Sequence, residues 1–278
     1  MKILVTGARG MLASDLVPIL REGCEVVAPS EDDLDITRRD IVFSVLEKIS
    51  PDIIVNCAAY TLVDKAEEEK NRAFLINGLG VQNIALACQD KCIPLCHVST
   101  DYVFDGTKSG PYTPFDNTNP INVYGESKLA GEKYIEWIMN KFYIIRTSWL
   151  YGKAGNNFVA TILRLAKERH EIRVVRDQTG SPTSTVSLSY AIKKIISTGA
   201  YGIYHFTDKT ENGISWFDFA EEVVRLAGCK AKVVPITTAE FPRPARRPQN
   251  SVLGTSLFSL ATGLETRDWK EALKEYLG

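Results

Sequence analysis

The sequence predicts an α/β fold, in which a doubly wound parallel sheet is followed by a smaller C-terminal lobe. Five short apolar runs rich in Val and Ile alternate with helix-like segments through the first 150 residues. Such runs are typical of parallel strands covered on both faces, and strands that alternate with helices build right-handed βαβ units. The pattern becomes irregular after residue 150. We therefore assign residues 1–150 to the core and 151–278 mainly to the lobe, with segments around 183–210 returning to the core.

The individual elements follow from the period of the apolar residues. The predicted core strands are 2–7, 25–30, 52–59, 93–100 and 142–149, and the helices between them lie near 11–21, 38–49, 70–90 and 123–140. Later helices are predicted over 156–168, 186–197, 216–227 and 267–277, with strands over 172–177 and 202–208 and a Pro/Arg-rich loop over 236–250. Ser215 and Asp218 resemble a capping box, which is typical of a helix start.

Composition excludes several classes of partner. The chain has 278 residues, 45% of them apolar, and a net charge of −1 from 33 basic and 34 acidic side chains. This balance gives the protein no overall positive electrostatic field that would attract nucleic acid or an anionic membrane. An anionic ligand therefore needs a local positive site. The N-terminal apolar run is too short for a signal peptide, and no run approaches the roughly 20 residues of a membrane helix. We expect a cytoplasmic protein, and a homodimer is compatible with the sequence.

The six cysteines do not indicate a disulfide framework or a metal site. Cys88, Cys92 and Cys96 stand four positions apart but fall at a helix end, in a turn and in a strand. No CxxC pair or His partner has metal-ligand spacing. We expect small buried apolar side chains and no metal.

A glycine turn follows the first predicted strand. Gly7, Gly10 and Ala13 are spaced as GxxGxxA in the first βα unit. Glycine lets the backbone turn tightly and approach a phosphate, and the helix that follows presents free N–H groups to it. The turn predicts a site for the pyrophosphate of a dinucleotide.

The choice between NAD and NADP stays open. Ser30 and Glu31 stand where an acidic residue would hold the ribose diol, and Asp35 lies further on. Arg9, inside the glycine turn, could reach a 2′-phosphate or could be a solvated charge.

Tyr124 and Lys128 stand four residues apart at the start of a predicted helix. This spacing places both side chains on one face, about 6 Å apart along the axis. An ammonium near a phenol lowers its pKa, so the tyrosine could protonate a carbonyl oxygen as hydride arrives. Ser99 and Thr100 end the fourth strand, where ligands bind in such sheets, and could bind the same oxygen.

These motifs occur together in one order, and the chain resembles the extended short-chain dehydrogenase/reductase superfamily over essentially its whole length. Within the superfamily it is most similar to the reductases of 4-keto nucleotide sugars. The resemblance is carried by NCAAYTLVDKAEEE (56–69), VSTDYVFDG (98–106), NVYGESKLAGE (122–132), RTSWLYG (146–152), NNFVATILRLA (156–166), RDQTGSPT (176–183) and RRPQNSVL (246–253).

The resemblance implies a Rossmann-like fold and an NAD(P)-dependent oxidoreductase that uses NADPH or NADH. It implies reduction of the C4 ketone of dTDP-4-dehydro-L-rhamnose, with hydride from the nicotinamide and the proton from Tyr124. The implied catalytic residues are Thr100, Tyr124 and Lys128. The implied cofactor-binding residues are Gly7, Arg9, Gly10, Met11, Leu12, Asp35, Ile36, Ala58, Ala59, Tyr60, Tyr124 and Lys128. Asn77 matches a structural or relay asparagine of the superfamily.

The nucleotide-sugar substrate carries a diphosphate, which needs positive charge. Arg243, Arg246 and Arg247 alternate with prolines in the densest basic loop of the chain, and guanidinium groups suit phosphate. We favour Arg247 because it stands in the matching RP motif. The residues expected to contact substrate are Thr100, Asp101, Trp149 and Arg247.

Other functions compete with this interpretation. A 4,6-dehydratase usually has Asp-Glu after the strand-end threonine, whereas Asp101 and Tyr102 stand here. A 4-epimerase, or a reductase of another nucleotide sugar, is harder to exclude. A non-catalytic regulatory subunit, like that of methionine adenosyltransferase, and an adaptor with an empty groove are the remaining alternatives.

Overall fold

The computed structural model describes all residues from 1 to 278. The strands are β1 (Lys2–Thr6), β2 (Glu25–Val27), β3 (Ile53–Asn56), β4 (Leu95–Thr100), β5 (Phe142–Thr147), β6 (Leu150–Tyr151), β7 (Glu171–Val175), β8 (Thr179–Gly180), β9 (Thr183–Ser184), β10 (Gly202–His205), β11 (Ile214–Ser215) and β12 (Lys232–Ile236).

The α-helices are α1 (Met11–Arg21), α2 (Arg39–Ile49), α3 (Val63–Ala66), α4 (Lys70–Phe74), α5 (Val81–Asp90), α6 (Val123–Ile138), α7 (Phe158–Glu168), α8 (Thr185–Ile195), α9 (Trp216–Leu226), α10 (Ser256–Thr262) and α11 (Trp269–Leu277). A π-helical turn over Leu75–Gly80 joins α4 to α5, and short 3₁₀ turns cover Asp101–Val103 and Thr238–Glu240. No helix combines the length and apolarity that a membrane span requires.

Six strands form the central sheet in the order β10-β5-β4-β3-β1-β2, and every pair is parallel. The predicted fold class is therefore confirmed. The chain leaves β1 toward β2 on one side and returns to β3 on the other. In a doubly wound sheet the ligand crevice lies at this switch point, outside the carboxyl ends of the strands.

Helices cover both faces of the sheet because its strands are apolar on both sides. Leu16 and Leu20 of α1 pack with Ile192 of α8 against one face, and Leu46 of α2 and Ile135 of α6 pack against the other. Through α8 and β10, residues after 183 thus pack against the sheet built by the first half of the chain.

The C-terminal lobe has a separate apolar core. Side chains of α7, α9 and α11 pack with the parallel pair β7–β12, and Phe219 of α9 lies at the centre of this cluster. Ser215 and Asp218 form the predicted capping box at the start of α9. The Pro/Arg-rich loop over 236–250 leads from β12 back toward the core.

Candidate active site

The glycine turn forms a cradle for a pyrophosphate. Gly7 has φ +69°, and a Cβ atom there would lie 2.7 Å from the backbone nitrogen of Ala58, so only glycine fits. The backbone N–H of Gly10 donates to the carbonyl of Gly7 over 2.9 Å. Gly10 caps α1 without a side-chain hydrogen bond, which leaves N–H groups of the first turn, at Met11 and Leu12, free for an anion.

The groups expected near the adenosine ribose are at the carboxyl end of β2. Arg9 is exposed and pairs with Asp32 across 3.4 Å. The hydroxyl of Ser30 donates to Asp33 over 2.6 Å. An exposed guanidinium with a single long ion pair can exchange that partner for a phosphate at little cost.

Asp35 and Ile36 have different local roles. The carboxylate of Asp35 accepts hydrogen bonds from the backbone and the hydroxyl of Thr37, at 2.9 and 2.7 Å. Ile36 is buried, and its carbonyl accepts a 3.0 Å hydrogen bond from Asn83. Asp35 therefore shapes this loop through its own carboxylate, while Ile36 offers an apolar wall.

The segment Ala58–Tyr60 is fixed from behind by the π-helical turn. Tyr60 donates its backbone N–H to Asn77 Oδ1 over 2.8 Å, and Asn77 Nδ2 donates to the carbonyl of Tyr60 and to the hydroxyl of Ser127, both at 3.0 Å. Asn77 is fully buried. It ties the segment that contains Ala59 to helix α6, one residue before Lys128.

Thr100 lies beside Tyr124 at the carboxyl end of β4. Its hydroxyl accepts from the backbone N–H of Tyr102 at 3.2 Å and donates to Asp101 Oδ1 at 3.0 Å. The same hydroxyl is near enough to Tyr124 to oppose the rise that burial causes in the pKa of the phenol. Burial raises the pKa of Asp101 to about 7, although the neighbouring side chains of Ser251 and Thr100 oppose the rise. The second carboxylate oxygen of Asp101 is buried without a partner. The structure therefore joins three of the predicted residues: Thr100, Asp101 and Tyr124.

Ser99 points the other way. Its hydroxyl donates to Glu132, which also binds Arg146 through hydrogen bonds of 2.7 to 3.2 Å. Of the two residues at the strand end, Thr100 is thus the one available to a ligand.

Tyr124 is more weakly acidic than expected. Burial and the charge of Asp101 raise its pKa to about 12, against the opposing effect of the Thr100 hydroxyl. The sequence predicted a pKa lowered by Lys128, but in the structure the cost of burying a phenolate is the dominant effect. Tyr124 is consequently protonated at neutral pH.

The amine of Lys128 is buried and turned toward β4. It donates to the carbonyl of Val98 over 2.8 Å and lies 3.2 Å from His97 Nε2. Burial lowers the pKa of Lys128 to about 8, against the opposing charge of Glu132. His97 was missed from the sequence because it stands inside an apolar strand run.

Asp64 neutralises the basic loop that was expected to bind phosphate. It accepts hydrogen bonds from both Arg243 and Arg247, and Arg247 also donates to the carbonyl of Ala245 over 2.6 Å. Partial burial raises the pKa of Asp64, but the two arginines outweigh this and lower it to about 2. Burial raises the pKa of Tyr102 and the charge of Arg247 opposes this rise, so Arg247 lies near the catalytic end of the groove.

Asn122 connects the basic loop to the catalytic helix. Its Oδ1 caps α6 by accepting from the N–H of Gly125 over 2.8 Å, and its Nδ2 donates to the carbonyl of Arg246 over 2.8 Å. Glu67 accepts from the N–H of Val123 over 2.9 Å. Asn122 and Glu67, which are distant from each other in sequence, thus fix the end of the helix that carries Tyr124.

Trp149 is held by other aromatic side chains. Its ring stacks on Trp216 with centroids 3.4 Å apart and an interplanar angle of 8°. Its φ of +48° is rare for a bulky residue, and its indole lies so close to Gly180 that a Cβ atom there would be 2.4 Å away. One face of the ring is therefore covered within the lobe.

The cysteines are free thiols, and no three His, Cys, Asp or Glu side chains form a metal-binding group. Cys88 and Cys96 are buried as expected. Cys92 differs, because it lies exposed in a turn with φ +56°.

A cradle for pyrophosphate at the switch point of a parallel sheet, next to a Thr-Tyr-Lys group, defines an NAD(P)-dependent oxidoreductase of the extended short-chain dehydrogenase/reductase superfamily. Comparison with known proteins supports this class over the whole length of the chain. The family model described as "RmlD substrate binding domain" matches residues 1–278, and the chain belongs to this family.

Similar proteins match this chain over nearly its full length. The chain is 44% identical to a dTDP-4-dehydrorhamnose reductase of Aggregatibacter actinomycetemcomitans, over 98% of this chain and 97% of that protein. It is 42% identical to a dTDP-4-keto-6-deoxy-D-glucose reductase of Streptomyces niveus, over 98% and 95%. A crystal structure of dTDP-4-dehydrorhamnose reductase from Bacillus anthracis in complex with NADP is 43% identical with a TM-score of 0.96, covering 99% of this chain and 98% of that one.

Proposed function

We propose that the protein reduces the C4 ketone of dTDP-4-dehydro-L-rhamnose to dTDP-L-rhamnose with NADPH or NADH. The observation that carries the proposal is the protonated Tyr124 beside Thr100 at the carboxyl end of β4, on the helix face that also carries Lys128. The names of the relatives identify the substrate class. Such a reaction belongs to dTDP-rhamnose biosynthesis, which supplies sugars for polysaccharides.

The cofactor supplies the hydride to C4. Thr100 and Tyr124 bind the carbonyl oxygen, and the phenol gives its proton to that oxygen as negative charge develops there. Lys128, on the same helix face, orients the bound cofactor and favours the phenolate form of Tyr124 once the proton has left. Gly7, Gly10 and the first turn of α1 hold the pyrophosphate, and the Arg9 side chain reaches toward the adenosine end.

The substrate is held between the core and the lobe. In this proposal residues 1–150 bind the cofactor, and the lobe in 151–278 supplies most substrate contacts. The diphosphate of the sugar nucleotide takes the place of Asp64 as the partner of Arg247, since a dianion offers more acceptor oxygens to a guanidinium. Trp149 borders the sugar with the edge that Trp216 leaves free, and Asp101 contacts the sugar near C4.

A second candidate substrate is dTDP-4-keto-6-deoxy-D-glucose, because a relative with 42% identity has that name. The two ketones differ in ring stereochemistry, so both would meet the same catalytic group. The lobe would have to discriminate between them.

Oxidation of NADPH, followed at 340 nm with each sugar, tests the proposal. We expect turnover with dTDP-4-dehydro-L-rhamnose and a clearly lower kcat/KM with dTDP-4-keto-6-deoxy-D-glucose. The reverse preference would assign the second substrate. Tight NADPH binding without oxidation by either sugar would contradict a reductase and favour a regulatory dinucleotide-binding subunit.

We also propose that the enzyme acts in the cytoplasm as a homodimer and has no nucleic-acid partner. Phe74, Leu75 and Leu79 are exposed on one stretch of α4 and the π-helical turn, which suits contact with a second copy. The net charge of −1 disfavours nucleic acid. Sedimentation equilibrium tests the assembly, and a monomer at all concentrations would contradict it.

A further inference from the structure

One carboxylate holds two arginine side chains of the Pro/Arg-rich loop. Asp64 Oδ2 accepts from Arg243 Nε over 3.0 Å and from its Nη2, and Asp64 Oδ1 accepts from Arg247 Nη1. The same Oδ1 accepts from the backbone N–H of Ala245 over 3.3 Å. Partial burial raises the pKa of Asp64, but the arginines outweigh this and lower it to about 2. At neutral pH the three side chains therefore carry two positive charges and one negative charge.

The contacts with Asp64 do not use the full binding capacity of the two arginines. Arg247 uses a single nitrogen, Nη1, for both Asp64 and the carbonyl of Ala245, which it reaches over 2.6 Å. Arg243 places two nitrogens on one oxygen of Asp64. A guanidinium group binds a phosphate best through two parallel N–H···O hydrogen bonds. Both side chains can therefore make better contacts with a phosphate than they make with Asp64.

The arginine pair extends from the catalytic group toward solvent. Burial raises the pKa of Tyr102 and the charge of Arg247 opposes this rise, so the two side chains are close. The ring of Tyr102 stands edge-on to that of Tyr124, with centroids 5.7 Å apart. The side chain of Arg243 is 47% exposed, against 16% for Arg247. This arrangement suits a ligand whose sugar lies at Tyr124 and whose diphosphate lies behind the sugar.

We propose that Asp64 competes with the diphosphate of the substrate for Arg243 and Arg247, and so limits how tightly the nucleotide sugar is bound. In the free protein the carboxylate occupies both cations, and in the complex the dianionic diphosphate binds them. Arg243 thereby becomes a second phosphate-binding residue beside Arg247. The inference deepens the proposed function and rests on it, since it takes the ligand to be a nucleoside diphosphate.

The exchange of partners needs no movement of the loop backbone. Asn122 Nδ2 donates to the carbonyl of Arg246 over 2.8 Å, and Ala245 is buried, so the loop stays attached when the two arginine side chains turn. Asp64 keeps the N–H of Ala245, and its side chain is 20% exposed, so water can replace the guanidinium groups. The exchange therefore leaves no buried charge without a partner.

The charge of Asp64 opposes an anionic ligand whether its side chain turns away or stays. A carboxylate that remained between the arginines would lie close to any phosphate they bind, and like charges repel. The variant Asp64→Asn removes the charge, has nearly the same shape and keeps an oxygen for the N–H of Ala245. It should therefore strengthen diphosphate binding. A residue whose role was only to hold the arginines in place would have the opposite effect when replaced.

Isothermal titration calorimetry with dTDP, in the presence of saturating NADP⁺, tests the proposal. Asp64→Asn should lower the dissociation constant of dTDP about tenfold, since charge-assisted contacts no longer compete with the ligand. The dissociation constant of NADPH should stay within about twofold, because the glycine turn is unchanged. Glu68→Gln is the matched control, because it removes the same charge from an exposed position of the same segment and should leave dTDP binding unchanged.

Arg243→Ala provides a second test that does not depend on the folding of Asp64→Asn, because Arg243 is exposed. It should raise the dissociation constant of dTDP about threefold or more. Unchanged or weaker dTDP binding in Asp64→Asn, or unchanged binding in Arg243→Ala, would overturn the proposal. Failure of the proposed function would give a different result, in which the wild type does not bind dTDP or Arg247→Ala binds it as tightly as the wild type.

Discussion

At the level of single residues, reduction needs a proton donor that keeps its proton until hydride arrives. Burial and the neighbouring Asp101 raise the pKa of Tyr124 to about 12, so the phenol is neutral at physiological pH. The i,i+4 spacing predicted the partner, Lys128, but could not predict that burial would determine the pKa of Tyr124. Burial depends on strands and loops that lie far from Tyr124 in sequence.

Replacing Arg247 by Ala should weaken substrate binding and leave the cofactor site intact. Loss of a charge-assisted hydrogen bond costs about 1.5–3 kcal/mol, which corresponds to a roughly 10- to 100-fold increase in KM for the nucleotide sugar. Steady-state kinetics and a separate NADPH titration measure the two effects. Arg246→Ala is the matched control, because this exposed arginine has no ion pair in the structure. Equal KM values in wild type and Arg247→Ala would remove Arg247 from the substrate site.

Several residues near the site have no signal in the sequence. Asp64 meets Arg247 from 183 positions away, and Asn56 meets His97 across 41. Motifs with fixed spacing identify residues that share one helix or turn, as Tyr124 and Lys128 do. Partners that meet only through the sheet order need the fold itself.

At the level of elements, helix α6 carries Tyr124 and Lys128, and Asn122 is its N-cap. Asn122→Ala should cost about 1 kcal/mol of stability, as for other lost N-caps. It should also raise KM for the nucleotide sugar, because the link to the carbonyl of Arg246 is lost. Thermal unfolding and kinetics measure both effects.

Ser215→Ala is the control for this prediction, since Ser215 caps α9 in the C-terminal lobe by a similar hydrogen bond of 3.0 Å. It should lower the unfolding temperature by a similar amount and leave KM unchanged. If Asn122→Ala changed only stability and not KM, the Pro/Arg-rich loop over 236–250 and helix α6 would not be coupled.

Strongly periodic elements were predicted well, and interrupted ones were not. The helix predicted over 70–90 is divided by the π-helical turn Leu75–Gly80, in which Asn77 binds the backbone of Tyr60. Such turns are frequent at functional sites, but they add one residue to a turn without changing composition. Short elements such as α3 and β12 were missed, and Pro235 inside β12 disfavours a strand when the sequence alone is considered.

At the level of the whole molecule, a buried polar network joins the core to the loop after β4. Glu132 of α6 accepts from Ser99 and binds Arg146 of β5, and Arg146 contacts His205 of β10 at 3.4 Å. The other nitrogen of His205 donates to the carbonyl of Tyr112 over 3.0 Å. Three strands, one helix and a loop are thus held together by groups that water does not reach.

Glu132→Gln should destabilise the protein by about 3 kcal/mol or more, because it leaves the guanidinium of Arg146 buried and uncompensated. Urea unfolding followed by circular dichroism measures the loss. The double variant Glu132→Gln/Arg146→Met should recover part of it, since no buried charge remains. A single variant as stable as the wild type would show that the ion pair contributes nothing.

The fold class could be predicted because the parallel core has continuous apolar strands at regular intervals. The arrangement of the lobe could not, since the strands of its pairs β7–β12 and β8–β11 are brought together from distant parts of the chain. Short strands of two residues have no period to detect. The sequence therefore predicts the central sheet more reliably than the strand pairing of the lobe.

The most direct test of the account is the reduction rate of Tyr124→Phe. Removing one hydroxyl should lower kcat with dTDP-4-dehydro-L-rhamnose roughly 10²- to 10⁴-fold, as expected for loss of a general acid. The dissociation constant of NADPH should stay within about twofold of the wild-type value, since phenylalanine fills the same space. If Tyr124→Phe turned over at close to the wild-type rate, Tyr124 would not be the proton donor and the proposed mechanism would be wrong.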